Sequence, residues 1–236
     1  MKKGLFLLTG ILFLFTMVMA QSGRIGFYGG TNFSGINGNY SAYGYQTTVI
    51  KDMNRMQMGL ILSIPLSERL SLYLDPGYFE KGFNFNEDKD LDVNVAYSGS
   101  QRFNYIHLPF TIKLGLTKNQ LFYLRSGFYY AFLLSSQVKS DITYSYPDEI
   151  ISESSDEKNT DKMNKTVLGL VTAVGMDVPL SEKISIILDL SYNLDLTNPM
   201  KDNYPQYWWN KSDYYFNNVN VRNSVFTISA GLTFKI

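Results

Sequence analysis

The chain has 236 residues, a formal net charge of zero and no cysteine, and 45% of its residues are hydrophobic. This length suits one barrel domain, and the neutral charge excludes the basic field of a nucleic-acid-binding protein. The absence of cysteine excludes disulfides, a thiol nucleophile, cysteine metal ligands and a lipidated cysteine. Beyond the N-terminal segment, no stretch reaches the roughly 18 apolar residues of a transmembrane helix.

Residues 1–20 are predicted to form a signal peptide. Two lysines open it, and residues 4–18 form an apolar run of the length found in signal peptides. Small residues at the −3 and −1 positions predict cleavage after Ala20. The alternative, an uncleaved anchor, is disfavoured because this run is short for crossing a bilayer. The mature domain is therefore predicted to span residues 21–236.

Eight later segments carry large apolar side chains at every second position, which is the periodicity of β-strands. In chain order they cover residues 24–33, 55–65, 70–83, 102–114, 120–135, 165–179, 183–196 and 221–236. Turns of a few residues follow the second, fourth and sixth segments, whereas the other connections have roughly 18–30 residues. This alternation is typical of an outer-membrane barrel with short periplasmic turns and long extracellular loops.

Two of the predicted turns and the strands after them repeat each other. Residues 64–78 read IPLSERLSLYLDPGY and residues 178–192 read VPLSEKISIILDLSY, with eight of fifteen positions identical. Each copy contains a strand end, a polar turn and a strand that alternates apolar and polar residues. Repeated hairpins of this kind favour a closed β-barrel.

The apolar face of the strands is predicted to meet lipid. In a secreted lipocalin-like barrel, the alternative, that face would point inward. It carries about forty large side chains, too many for the interior of an eight-stranded barrel, whereas the small and polar residues of the other face fit there. Since lipid offers no partner to an edge strand, the barrel must close. The prediction is an all-β, eight-stranded antiparallel transmembrane barrel of the up-and-down type, located in the bacterial outer membrane.

Three segments resemble the PorT-like outer-membrane β-barrel family of Gram-negative bacteria. They are GFYGGTNFSGI at 26–36, IPLSERLSLYLDPGYFEKG at 64–82 and NYIHLPFTIKL at 104–114. The last is similar to the family's strand with tyrosine, proline, a hydrophobic residue and lysine. The resemblance covers essentially the whole mature chain and implies an eight-stranded barrel. It also implies, from the named members, assistance to protein secretion, and it carries over no functional residue.

A polar network is predicted inside the barrel, because charges away from water need partners. Its members are Asp75, His107, Lys113, Arg125, Asp177, Asp189 and Asp195. Asp75 and Asp189 are equivalent in the two repeats and lie on strands roughly opposite each other, so Arg125 between them would suit both. The alternatives are a catalytic carboxylate pair, or His107 as the base of an outer-membrane enzyme. A lone histidine without a nucleophile motif is weak evidence, so no catalytic residue, metal or cofactor is predicted.

Two of the long loops are candidates for binding. The third, 136–164, holds seven acids and is expected to be solvated and mobile; the alternative is a site for divalent cations that bridge lipopolysaccharide. The fourth is rich in aromatic residues that can stack on sugars or bind a protein. Its candidate binding residues are Tyr204, Tyr207, Trp208, Trp209, Tyr214 and Tyr215. The alternative places them at the outer aromatic girdle, on the upper ends of the last two strands.

The sequence therefore predicts a non-enzymatic outer-membrane protein with a structural or surface-interaction role, and assistance to secretion is one form of that role. Expected partners are outer-membrane lipid, lipopolysaccharide, the barrel-assembly machinery that reads the final strand, and a protein or glycan ligand at the loops. One alternative is a small-solute channel, which a filled lumen disfavours. The other is an outer-membrane enzyme that acts on lipid or peptide.

Overall fold

The computed structural model describes residues 23–37, 49–90, 94–117, 121–201 and 222–236. Ten strands occupy these ranges: β1 Arg24–Asn37, β2 Val49–Pro65, β3 Leu70–Leu74, β4 Gly77–Asp90, β5 Asn94–Gly115, β6 Phe122–Ser145, β7 Ile150–Lys158, β8 Thr166–Pro179, β9 Ile184–Asp195 and β10 Arg222–Lys235. One 3₁₀ turn lies at Thr160–Lys162. No helix in the described ranges is long and apolar enough to cross a membrane.

The strands close into a barrel through antiparallel pairing of each strand with its neighbours. Around the ring the order is β1, β2, β3 with β4, β5, β6, β8, β9 and β10, and β10 pairs with β1 over fourteen positions. Strands β3 and β4 are two halves of one barrel strand, since both pair with β2 on one side and β5 on the other. The ring therefore has eight strands, as predicted, and β7 lies outside it.

The break between β3 and β4 has a local chemical cause. Asp75 and Pro76 face Leu108 and Pro109 of β5, and neither proline has an N–H to donate to the ladder. The freed groups find other partners. The Pro76 carbonyl accepts the Leu60 N–H at 2.9 Å, and the Asp75 carbonyl accepts the Tyr28 hydroxyl at 3.0 Å.

The apolar face of the strands points outward from the ring, which confirms the predicted orientation of that face. Phe128 is 61% exposed and Leu60 is 54% exposed, and alternate residues on seven of the eight barrel strands follow the same pattern. On the strand formed by β3 and β4, Leu70 is exposed but Leu74, predicted on the same apolar face, is buried. Two aromatic pairs, Phe27–Phe234 and Phe33–Phe226, lie across the closing seam with ring centroids 6.4 Å apart. Exposed apolar side chains over a closed backbone ladder are suited to lipid.

The repeated sequence forms the same turn twice. Ser67 and Ser181 each donate a backbone N–H to the residue that starts the next strand, at 3.0 and 3.1 Å. Their hydroxyls in turn accept the N–H of Leu70 and Ile184, both at 3.2 Å. A serine that satisfies a backbone donor in this way stabilises a tight turn.

The barrel extends beyond the apolar band as a sheet at the opposite end from these turns. Strands β4 and β5 pair as far as Asp90 and Asn94, and β6 continues to Ser145 before the chain folds back as β7. The third long loop is therefore a regular β-hairpin through much of its length. All residues of β7 are exposed, as expected of a solvated segment, but the expectation of a loop without strands is wrong there. The strand could not be recognised from the sequence, because neither of its faces is apolar and the composition is polar throughout.

Candidate functional site: lumen and extracellular sheet

Arg125 of β6 joins two carboxylates in the middle of the lumen. Its Nε and one terminal nitrogen donate to the two oxygens of Asp189 on β9, both at 2.9 Å. A terminal nitrogen also lies 3.2 Å from a carboxylate oxygen of Asp75, and the Tyr123 hydroxyl donates to Asp189 at 2.8 Å. All four side chains are buried. Two-point contacts between guanidinium and carboxylate are the strongest ion-pair geometry in proteins.

A second ion-pair group lies at the periplasmic mouth of the lumen. Lys113 Nζ is 2.7 Å from one oxygen of Asp177, and Arg24 lies 3.2 Å from the other oxygen. Arg24 also donates to the Ser185 hydroxyl. One carboxylate therefore binds two cations here, and Arg24 is partly exposed at the mouth.

A third group lies nearer the extracellular end. Lys81 Nζ contacts both oxygens of Asp195 at 2.6 and 2.7 Å, and the Asn223 amide donates to the same carboxylate at 2.9 Å. The Tyr129 hydroxyl donates to Asp195 as well. The Lys81 ammonium lies 4.6 Å from the centre of the Tyr105 ring, a cation–π contact. This ion pair is almost completely shielded from solvent.

Two glycines make room for the tyrosines of these groups. Gly175 and Gly169 of β8 lie opposite Tyr123 and Tyr129 on one side, and opposite Asp189 and Asp195 on the other. A Cβ on Gly169 would lie 2.1 Å from the Tyr129 ring, and one on Gly175 would lie 2.3 Å from the Tyr123 ring. Each tyrosine thus crosses over a glycine to reach an aspartate one strand further. The same three-strand arrangement occurs twice, six residues apart.

His107 is enclosed in the lumen wall. Its ring centroid lies 4.6 Å from that of Phe79 and 4.5 Å from that of Tyr129, and 5% of the residue is exposed. Its Nε2 has no hydrogen-bond partner among the described residues. The geometry is that of an aromatic ring packed between two others.

An apolar layer fills the lumen above the third ion-pair group. Its members are Phe83, Phe85, Phe103, Tyr105, Tyr129, Ala131, Met163, Val167, Val171 and Met200. Met163 and Met200 are joined by an isolated β-bridge, and the Asn164 amide donates to the Asn198 and Met200 carbonyls at 2.9 Å each. Within the described residues, the interior is therefore packed from the periplasmic mouth to this layer, with four cations matched to four carboxylates.

The hairpin of β6 and β7 is the acidic feature of the extracellular sheet. Residues 136–158 hold six acids and two lysines. Lys139 pairs with Asp156 at 3.0 Å, and this hydrogen-bonded contact lowers the pKa of Asp156. The described residues contain no group of three or more histidine, aspartate or glutamate side chains that could hold a metal ion. The alternative of a divalent-cation site thus gains no support from them.

The family model for the outer membrane protein beta-barrel domain matches residues 19–200. The chain belongs to this family. An outer-membrane protein beta-barrel domain accounts for the closed ring and its apolar exterior, and the protein is located in the outer membrane. No curated protein matches the chain in sequence.

Several solved outer-membrane barrels are similar to this member of the family in fold. The attachment invasion locus protein Ail of Yersinia pestis is 9% identical with a TM-score of 0.36, over 91% of this chain and 100% of that one. OprG of Pseudomonas aeruginosa is 12% identical with a TM-score of 0.36, over 92% and 97% of the chains. The outer membrane protease OmpT of Escherichia coli is 11% identical with a TM-score of 0.34, over 91% and 96%.

The structure brings six of the seven predicted lumen residues into ion pairs, and the seventh, His107, packs among aromatic rings. Five partners in these groups were not predicted from the sequence, and they are Arg24, Lys81, Tyr123, Tyr129 and Asn223. The alternation along β4 places Lys81 on the same face as Asp75, so the sequence pattern could have identified Lys81 as a lumen residue. The predicted signal peptide and all six aromatic residues predicted to bind a partner, Tyr204 to Tyr215, lie outside the described residues.

Proposed function

We propose that this outer-membrane barrel is a non-enzymatic surface-interaction protein whose partner binds the extracellular sheet. The observation that carries the proposal is the packed lumen. A solute would have to separate buried ion pairs such as Lys81–Asp195 and displace the apolar layer above them. Breaking a buried pair costs several kcal/mol, so steady passage is disfavoured. The extracellular sheet, in contrast, presents charged and exposed groups to the medium.

The state of the buried acids supports a non-enzymatic role. Asp75, Asp177, Asp189 and Asp195 are each within 3.2 Å of a lysine or arginine nitrogen. His107 is enclosed between aromatic rings. A catalytic acid or base must come within hydrogen-bond reach of its substrate, and these groups are saturated or covered.

The proposed partner is a protein segment or a surface glycan at the cell exterior. Assistance to protein secretion, which the resemblance to the PorT-like family implies, is one form of this role, with a component of a secretion apparatus as the partner. Lipopolysaccharide and outer-membrane lipid surround the barrel, and the barrel-assembly machinery inserts it.

Removal of the hairpin arm tests the proposal. The arm, defined here as residues 137–158, can be replaced by Asn-Gly, because Ser136 and Asn159 already face each other, with a 3.0 Å backbone hydrogen bond. Partners are then cross-linked on intact cells and quantified by mass spectrometry for both proteins. We expect the shortened barrel to lose the enriched partner and to keep heat-modifiable migration on gels. Recovery of the same partner in the same amount would contradict the proposal.

Planar-bilayer recording tests the competing transport function. We expect the purified barrel to show no steady conductance, since its ion pairs and apolar layer occupy the lumen. A large and steady conductance would replace the present proposal with a channel.

A further inference from the structure

Among the residues that the structure describes, strand β7 ends the extracellular sheet with a free edge. All nine of its residues are exposed, Ile150 to 71%. It pairs with β6 from Gln137↔Lys158 to Ser145↔Ile150, and no other strand of the described residues pairs with it. At about 3.3 Å per residue, the edge is roughly 30 Å long.

The hydrogen bonds at the two ends of this hairpin show which backbone groups are free. Tyr146 donates its N–H to the Glu149 carbonyl at 2.8 Å, and Asn159 donates its N–H to the Ser136 carbonyl at 3.0 Å. In an antiparallel ladder, hydrogen-bonded pairs recur at every second residue. The odd-numbered residues of β7 therefore bond to β6. The N–H and C=O groups of the even-numbered residues, Ile150, Ser152, Ser154, Asp156 and Lys158, point to the free edge.

The side chains around this edge are acidic. Strand β7 holds three acids and one lysine. Glu153 and Glu157 lie on the face of the hairpin that includes Ile142 and Val138, and no ion pair within the described residues involves either glutamate. Asp156, on the other face, pairs with Lys139. A strand added here would meet carboxylates on both of its faces.

We propose that the β7 edge binds an extended, basic polypeptide segment of a partner protein, which adds to the sheet as a further strand. Backbone hydrogen bonds to the even-numbered residues would supply affinity, and lysine or arginine beside Glu153 and Glu157 would supply selectivity. A second copy of the chain fits less well, because two such edges carry the same net negative charge. A sulfated or phosphorylated glycan is repelled for the same reason. This inference rests on the proposed surface-interaction function.

The test uses a ten-residue peptide of alternating lysine and valine and the full barrel in lipid nanodiscs. Two control peptides replace lysine by glutamate or carry N-methyl groups on the backbone. The first barrel variant is Ser152→Pro with Ser154→Pro, which removes two edge N–H donors and keeps the backbone hydrogen bonds of the hairpin. The matched variant is Ser152→Ala with Ser154→Ala, which keeps the two donors. Both variants lose the side-chain hydrogen bonds of Ser152 and Ser154 to β6, so this loss cancels in the comparison. Proline is tolerated where the N–H of an edge strand faces solvent.

We expect the lysine peptide to bind the wild type and the alanine variant alike, and to bind the proline variant at least tenfold more weakly. The N-methylated peptide should bind weakly to all three proteins. Glu153→Gln with Glu157→Gln should weaken binding and reduce its salt dependence. Equal binding to the proline and alanine variants would overturn strand addition. The proposal would also be overturned if the wild type formed a dimer and the proline variant were monomeric, because the edge would then bind a second copy of the chain.

The outcomes separate this inference from the proposed function. If removal of the arm abolishes partner capture on cells while the proline variant still captures, the surface function stands and strand addition is wrong. If removal of the arm leaves capture unchanged, the proposed function itself fails.

Discussion

Arg125 holds Asp189 through two parallel hydrogen bonds of 2.9 Å, one from Nε and one from a terminal nitrogen, each to a different carboxylate oxygen. The same guanidinium also contacts Asp75, on the far side of the lumen. One cation thus fixes two carboxylates whose strands are not neighbours in the ring. Arg125 is therefore the cation that both carboxylates of the central group share.

Replacement of Arg125 by methionine should therefore be strongly destabilising. It leaves Asp75 and Asp189 buried without a cation, and the loss of one partner from a buried ion pair costs about 3–5 kcal/mol. Urea unfolding in lipid vesicles measures the effect. The triple variant Asp75→Asn, Arg125→Met, Asp189→Asn removes all three charges together and should recover most of the loss. A single variant that unfolds at the wild-type urea concentration would show that the contact contributes little.

Two lysines of the lumen should differ in their importance. Lys81→Met leaves Asp195 without its cation in a fully shielded position, for which we expect a loss of about 3–5 kcal/mol. Lys113→Met should cost clearly less, because Asp177 keeps Arg24 at 3.2 Å near the solvent-exposed mouth. The two variants compared by the same unfolding assay form a matched pair. The opposite ranking would mean that burial does not set the cost.

Gly169→Ala should disturb the third ion-pair group from a distance. The added methyl would overlap the Tyr129 ring, which must move and release Asp195, and overpacking of this kind costs about 1–3 kcal/mol. Gly29→Ala is the control, since its nearest atom would lie 3.9 Å away on the outer surface. Unfolding free energies of the two variants test the difference. Equal stabilities would show that the Tyr129 side chain adjusts without losing its hydrogen bond to Asp195.

The contact between Lys139 and Asp156 should make the arm sensitive to acid. The hydrogen bond from Lys139 lowers the pKa of Asp156 from its usual 3.8, so the ionised form is favoured in the folded arm. The stabilisation is then fully present above the unfolded pKa and is lost as pH falls through the lower folded value. Amide hydrogen exchange in β7, followed from pH 6 to pH 3, should show faster opening only at the acid end. Lys139→Met should remove this dependence.

The membrane-spanning part of the fold could be predicted from the sequence because lipid imposes a simple rule on it. A strand such as β9 must show apolar residues outward at every second position, so its alternation is strong and its bounds were predicted within two residues. The inward positions of Asp189 and Arg125 follow from the same alternation.

The extracellular sheet could not be predicted in this way, since both faces of its strands can be polar. In β7 every residue is exposed, and the segment has the composition of a solvated loop. The pairing of Lys81 with Asp195 also lay beyond the sequence, because 114 residues separate them and the strand stagger around the ring decides which residues meet. Strand alternation fixes the direction of a side chain and leaves its height in the barrel open.

The order of the lumen charges along the chain has a consequence for truncation. The four cations, Arg24, Lys81, Lys113 and Arg125, all precede the three aspartates, Asp177, Asp189 and Asp195, that β8 and β9 supply. Of the four carboxylates in these ion pairs, only Asp75 belongs to the N-terminal part of the chain. A barrel shortened before β8 would therefore keep all four cations with a single carboxylate to pair with them. The C-terminal hairpins thus supply charge balance to the lumen as well as the strands that close the ring.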